Sequence, residues 1–401
     1  MLRSMYSGIS GMKNFQTKLD VIGNNIANVN TYGFKKGRVT FKDTMNQTIS
    51  GASAAQNNRG GKNPMQVGLG GTLATVDTIT TQASLQTTGR PLDLAINGDG
   101  YFVVKQGNAN FYTRAGNFYL DDNGTLVNAD GLKVQQYSKG VLKDIKVNVN
   151  AALPAVSTTK VDIEGTLPKL PNSTFTSDTA GAVQQIKVVD TKGEEHTLDV
   201  QFKPSGSNWT ITVTNNEGTA PVSKDYTVTY DAANEKYTTS DTINLASDLG
   251  MTDGKDGVAF DFSNLTEGST DSIAALVNPD GNLEGSLESF NIGAGGEING
   301  VYSNGLVKTL GVLALAKFSN PSGLSKTGNN TFQESINSGT ANINVPGEGR
   351  GSIASGSLEM SNVDLSEEFT EMIVAQRGFQ ANTRIITTSD EILQELVNLK
   401  R

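Results

Sequence analysis

Apolar residues recur every seven positions at the two ends of the chain, and alternate in short runs between them. Met5, Met12, Leu19 and Ile26 form one row, and Gly8, Phe15, Ile22 and Val29 sit three residues after each. That a/d seam predicts an amphipathic helix over 4–29. Gly8 on the seam would let a neighbouring backbone come close. NVNTYG (28–33) predicts the stop, with asparagines and a glycine able to take positive φ. At the other end Leu365, Met372, Phe379, Ile386 and Leu393 keep the same spacing, with Ala375, Asn382, Ser389 and Leu396 as the partner row. Asp364 is the expected N-cap, and Glu367 follows three residues on, as in a capping box. Asn382 and Ser389 are polar seam residues, which cost stability and can fix register. A lone amphipathic helix cannot bury its stripe in water. The ends are therefore expected to pair with each other and with further copies of the chain.

Residues 35–80 are rich in Gly, Ser, Ala and Asn, lack periodicity, and read as an extended linker contacting neighbours. From residue 81 the pattern becomes β: LDLAI (92–96), YFVVK (101–105), NFYTR (110–114) and NFYLD (117–121) alternate. Asn-Gly and Asp-Gly steps in 97–100, 122–124 and 129–131 supply the turns. NAALPAVSTTK (150–160) marks a shift into a Thr/Ser-rich β region, and NLEGSLESFNI (282–292) resumes the earlier style. The expected fold is mainly β and multidomain, two discontinuous β domains nested by insertion. The inner β domain is 81–150 with 285–361, and the inserted outer β domain is 151–284. The helical ends, 1–34 and 362–401, pair as a coiled coil.

Charge sharpens the pairing. The first end carries Arg3, Lys13, Lys18, Lys35, Lys36, Arg38 and Lys42 against Asp20. The last helix carries Asp364, Glu367, Glu368, Glu371, Asp390, Glu391 and Glu395 against Arg377, Arg384, Lys400 and Arg401. Opposite bias favours pairing the two ends over pairing either with itself. The net charge of −9 argues against nucleic acid as a partner. No stretch approaches the roughly 20 apolar residues of a membrane helix, and the N-terminus lacks the apolar core of a secretory signal. Membrane insertion is not expected.

Little catalytic chemistry is available. Cysteine is absent and His196 is the single histidine, so disulfides, thiolate nucleophiles and Cys/His zinc sites are out of reach. Asp121/Asp122, Glu194/Glu195 and Glu367/Glu368 are adjacent pairs, whereas acid/base catalysis needs two carboxylates facing one substrate. They read as solvated surfaces, and His196 as a surface residue beside a hairpin turn. No GxSxG elbow or GxxxxGK[ST] loop occurs. Asn97, Asp99 and Gly100 lack the closing acidic residue of a calcium loop. Trp209 and the tyrosines lie in strand runs and read as core. No catalytic, metal or cofactor site is expected, and the chain is not expected to be an enzyme.

DVIGNNIANVNTYGFKKGRVTF (20–41) and SNVDLSEEFTEMIVAQRGFQANTRIITTSDEILQELVNL (361–399) resemble the N- and C-terminal signatures of the bacterial flagellar axial proteins, the rod, hook and hook-associated subunits. GRPLDLAINGDGYFVV (89–104) and FSNPSGLSKTGNNTF (318–332) are similar to segments of hook and distal rod subunits. Within that family the extra region 151–284 resembles a hook outer domain. The opening MLRSMYSGISGMKN is somewhat rod-like, so a distal rod subunit remains the alternative; flagellins lack the NNIANVNTYGF block. The resemblance implies export in the unfolded state through the flagellar type III apparatus, without a cleaved signal, and polymerisation into a flexible hollow extracellular tube that transmits torque. It implies an inner tube of terminal helices, outward β domains, no cofactor, and as partners the distal rod, hook cap and hook–filament junction proteins. By the same resemblance Phe41 and Met45 in FKDTM match an FxxxΦ export-gate motif; packing of Phe41 beside the terminal helix is the other reading. A different class, a surface adhesin or wall-acting enzyme on a helical stalk, would need a ligand or acid/base cluster in 151–284, and none stands out.

Overall fold

Helix α1 spans Leu2–Ala27 and helix α2 spans Leu365–Asn398, and between them the chain is built of short strands. The computed structural model describes residues 2–54, 60–148, 152–170, 183–217, 221–231, 236–239, 242–251, 253–254, 257–268 and 274–399. Two compact units emerge: residues 1–148, 290–299 and 309–401, and residues 149–289 with 300–308. The helical ends, the 35–80 segment and most of the expected inner β domain share the first unit.

In the first unit strand Tyr101–Gln106 is central. It pairs with Ala109–Thr113, Lys133–Ser138 and Leu315–Lys317. Tyr101, Phe102, Val103 and Val104 are all buried, as a run apolar on both faces requires. Phe318 stands edge-on to Tyr101 and Tyr112, with ring centroids 5.9 and 4.8 Å apart. Within this unit two distant stretches of the chain run side by side. Leu85–Thr87 pairs with Ser357–Glu359, and Leu94–Asn97 pairs with Ser352–Ser355. That pairing carries the two distant ends of the sequence to one place.

Residues 35–80 are extended and also paired, so they are not a free linker. Gly37–Asp43 runs antiparallel to Gly71–Thr78, and Asn46–Ser50 to Met65–Gly68. The ladder satisfies backbone groups that a glycine- and asparagine-rich sequence gives no apolar signal for. Residues 55–59, also within the segment, lie outside the described residues.

The second unit contains an antiparallel meander of Gln184–Val189, Glu195–Ser205, Asn208–Asn215, Val222–Asp231 and Lys236–Thr238. A further sheet orders Thr242–Ile243, Val258–Gly268, Lys160–Pro168 and Ala274–Pro279, with Lys160–Pro168 parallel to Val258–Gly268. Trp209, Phe202, Leu198 and Val161 lie in one apolar core. The Trp209 indole donates to the Pro168 carbonyl at 3.2 Å.

Candidate assembly interface

The helices pack antiparallel. Gly8 lies against Ile386, Gly11 against Asn382, and Phe15 against Gly378. Lys18 pairs with Glu371, and Asn25 donates to Glu368 Oε2 at 3.1 Å. Small residues set the approach. A Cβ on Gly378 would stand 2.5 Å from the Phe15 ring, and one on Gly11 would stand 2.7 Å from Asn382 Oδ1. The polar seam residues bond within their own helix. Asn382 Nδ2 donates to Gly378 O at 2.8 Å, and Ser389 Oγ to Ile385 O at 2.7 Å. Asn382 therefore meets α1 by shape, at Gly11, rather than by a bond across the pair.

The cap of α2 forms, and the expected reciprocal box does not. Asp364 Oδ1 accepts from Ser366 N at 2.8 Å and from Glu367 N at 3.4 Å. The Glu367 carboxylate binds Lys36 Nζ at 2.6 Å instead. A nearby cation is a stronger partner than a neutral backbone amide. Together with Lys18–Glu371, this bridge carries the opposite charge bias of the two ends. Such exposed pairs contribute only ~0–1 kcal/mol each.

Pairing two helices leaves most of each stripe incompletely covered. Ile22, Ala375 and Ser389 are buried. Met5, Met12, Phe15, Leu19, Ile26, Met372, Phe379, Ile386 and Leu393 are half-buried. Val29 lies beyond the end of α1 and is half-buried; Leu365, the first residue of α2, is exposed rather than on the seam. The side chains of Leu396 and Arg3, and residues Lys400 and Arg401, lie outside the described residues. Further apolar residues of the two helices are exposed: Tyr6 and Ile9 on α1, and Phe369, Ile373 and Val374 on α2, Ile373 at 59%, with Ile385 half open beside Gly8. On the adjoining ribbon Met45 is 80% exposed, and Ile49, Met65 and Val76 are exposed too. Phe41 is partly exposed and meets Phe15 edge-on, ring centroids 6.3 Å apart. Scattered apolar residues are ordinary on a surface, whereas contiguous ones mark contact sites.

Where α1, the ribbon, the inner strands and the lead into α2 converge, the chain buries three charges. Lys35 Nζ lies 2.6 Å from Glu359 Oε1, and Arg114 Nη1 lies 3.2 Å from Glu359 Oε2. Lys35 also donates to Thr81 O at 2.8 Å, Arg114 donates to Gly98 O at 2.9 Å, and Ala83 N donates to Glu359 Oε1 at 3.1 Å. Burial pulls the Lys35 ammonium below its ordinary pKa, against the attraction of Glu359. Burial likewise lowers Lys326, which donates to Lys35 O at 3.2 Å. Asparagines finish the joint. Asn25 exchanges two bonds with the Gly37 backbone, each 2.9 Å, and Asn362 Oδ1 accepts from Lys36 N at 2.7 Å. Gly33 sits at φ +69°, where a Cβ would press 2.6 Å from the Arg114 backbone. Only glycine fits there. The sequence placed Lys35 in the basic bias of the first end without marking it as buried, and passed over Arg114 and Glu359. The one available signal was the density of Asn and Gly in 24–37, since such residues bond locally to backbone.

Comparison with known proteins gives this geometry a context. The flagella basal body rod protein model matches residues 5–35, the flagellar hook protein FlgE/F/G D1 domain matches 95–167, and the flagellar basal body rod FlgEFG protein C-terminal model matches 354–399. Over the full length of both chains, the protein is 37% identical to the flagellar hook protein FlgE of Treponema pallidum and 39% identical to that of Borreliella burgdorferi. The chain belongs to the flagellar hook and rod family. Among the relatives of this family it is also 41% identical, over the whole of both chains, to the flagellar basal-body rod protein FlgG of Bacillus subtilis. The Helicobacter pylori flagellar hook protein FlgE2 shares the fold, with a TM-score of 0.54 at 15% identity over 69% of this chain and 100% of that one. The family model for the N-terminus covers α1 and the Gly33 turn, and the C-terminal model covers Glu359 and α2. The hook and rod family is a structural one, and its match to both ends of this chain falls on the helix pair and its buried joint. No helix among the described residues is long and apolar enough to cross a membrane.

Proposed function

We propose that this chain is the structural subunit of the flagellar hook, exported unfolded and polymerised into a flexible hollow tube that carries motor torque to the filament. The observation that carries this reading is the helix pair. Its seam is only half covered within one molecule, and further apolar residues stand exposed on both helices. A surface of that kind is stable in water only when further copies cover it. The terminal helices then form the inner tube, the ribbon at 35–80 touches neighbouring subunits, and the β units face outward. Localisation follows as the extracellular hook. The partners proposed beyond self-association are the distal rod, hook cap and hook–filament junction proteins and the type III export apparatus. Phe41 and Met45 are proposed to be read by that apparatus before folding, when Phe41 is not yet engaged by Phe15. The chain has no proposed catalytic role.

The second reading is a distal rod subunit, favoured by the match to the Bacillus subtilis rod protein and by the rod model over residues 5–35. One experiment separates the two. Electron microscopy of the concentrated purified chain should show curved tubes, and the chain should restore hooks to a strain lacking its hook subunit. Straight tubes, with rescue only of a rod-deficient strain, would establish the rod reading. Isolated particles with binding or hydrolase activity would overturn both.

A further inference from the structure

The hairpin joining strands Gln184–Val189 and Glu195–Ser205 gathers three metal-ligating side chains at its turn. Asp190, Glu194 and His196 each offer one donor atom, and these atoms lie within 4.8 Å of one another. The Asp190 side chain is 1% exposed. Its Oδ1 accepts from the amides of Lys192 at 2.9 Å and Glu194 at 2.8 Å. Its Oδ2 is shut off from solvent and has no partner within hydrogen-bond distance, its nearest polar neighbour being the His196 imidazole. His196 Nε2 stands 3.6 Å from that oxygen, beyond hydrogen-bond range. A buried carboxylate oxygen needs a cation to offset its lost hydration; here that is either a protonated His196, at ion-pair distance, or an ion bound between the two side chains.

Around the cluster the other charges are engaged elsewhere. Lys192 Nζ binds Asp253 at 2.7 Å, and Lys187 Nζ binds Glu195 at 2.6 Å. The far side of the imidazole is held: Nδ1 lies 2.5 Å from Glu217 Oε2, and Glu217 Oε1 accepts from Thr197 N at 2.7 Å. A metal-bound histidine is typically oriented by a carboxylate in this way. Zinc bonds of ~2.1 Å in a tetrahedron put two donors about 3.4 Å apart. The Oδ2–Nε2 separation of 3.6 Å is close to that edge.

We propose that Asp190, Glu194 and His196 bind a divalent first-row metal cation of the zinc type, with water completing the shell and Glu217 as the positioning residue. Two carboxylates and one imidazole suit such an ion. A bound ion would tie the two ends of the hairpin turn together, and Glu217 would hold the ligating His196 from the chain following Asn208–Asn215. The ion would stabilise the folded unit, because the unfolded chain does not assemble the ligands.

The test is calorimetric titration of Zn²⁺ into the metal-stripped full-length chain, in mildly alkaline buffer, with thermal melts alongside. One equivalent should bind saturably and raise the thermal transition. Glu194→Gln alters an exposed residue and so leaves the fold intact; it and His196→Gln should abolish saturable binding. Glu217→Gln should weaken binding about 10–100-fold. Absence of saturable binding in the unaltered chain, or binding unchanged in both Glu194→Gln and His196→Gln, would overturn the site.

Discussion

Lys35 and Glu359 lie 324 residues apart in the chain and meet at 2.6 Å, with neither side chain exposed to solvent. Glu359 serves two cations, Lys35 and Arg114, so the buried cluster carries an excess positive charge. Replacing the anion strands both. Glu359→Gln should destabilise the first unit by about 3–5 kcal/mol. Lys35→Met should cost less, because it leaves the Arg114–Glu359 pair intact. Denaturant melts of the monomer measure the difference, and equal losses would refute the excess-charge account.

The approach of the helices depends on Gly378. A Cβ there meets the Phe15 ring, which also packs on Phe41. Gly378→Ala should therefore cost roughly 1–3 kcal/mol by overpacking and should move Phe15. Polymerisation should weaken while the strands stay folded by circular dichroism. Coupling of Gly378→Ala with Phe15→Leu should restore part of the loss.

Leu19→Asp or Phe379→Asp should abolish polymerisation and leave the β units folded, because each places a carboxylate on the half-buried seam. Hydrogen exchange should find slow amides in α1 and α2 of the polymer and fast ones in the dilute monomer. Strong, equal protection in both states would show the helix pair to be complete within one molecule and remove the argument that further copies must cover it.

Acid should act on the second unit through Asp261. Lys160 bridges Asp162 at 2.7 Å and Asp261 at 2.5 Å, two carboxylates placed directly opposite on the parallel strands. The Lys160 bond, with help from the Ser263 amide, holds the Asp261 carboxyl down to about 2, against an ordinary value of 3.8. A carboxyl lowered by folding contributes stability that is fully present above its ordinary value and is lost as pH falls toward the folded one. The thermal transition of this unit should therefore drop between pH 3.8 and about 2. Asp261→Asn should be less stable at neutral pH and should show a flatter fall over that window.

Phe41→Ala and Met45→Ala should each lower secretion of the chain while leaving the purified protein folded, if the apparatus reads FKDTM. Secretion at the unaltered level in the double variant would assign Phe41 to packing on Phe15 alone.

Much of the architecture was legible in advance, and the reasons are local. Seven-residue spacing from Met5 and from Leu365 marked both helices, and the turn at Gly33 and the cap at Asp364 marked their ends. The short apolar run marked Tyr101–Gln106 as a strand, although it is apolar on both faces where alternation was expected, and the Asn-Gly and Asp-Gly steps at 97–100 marked the turn before it. The ribbon at 35–80 was not legible, because Asn46–Ser50 and Met65–Gly68 are exposed throughout and Gly37–Asp43 and Gly71–Thr78 are only partly buried, so none carries a clear apolar period. Nor was the joint at Lys35, Arg114 and Glu359. A charged residue looks the same in sequence whether it is solvated or buried against a partner hundreds of positions away. Of the cluster, Glu194 and His196 were in view as residues and Asp190 was not, since the orientation of Asp190 and the reach of Glu217 depend on how the hairpin folds.

Sequence by itself determined the two helices, the β character from residue 81 and the unsatisfied stripes at both ends, because periodicity and turn chemistry act within a few residues, and its signature segments pointed to the family. Tertiary structure alone decided which stripe residues stay open, where the ribbon pairs and which charges are buried. Those outcomes depend on contacts between segments far apart in the chain, and burial is a property of the space such segments enclose.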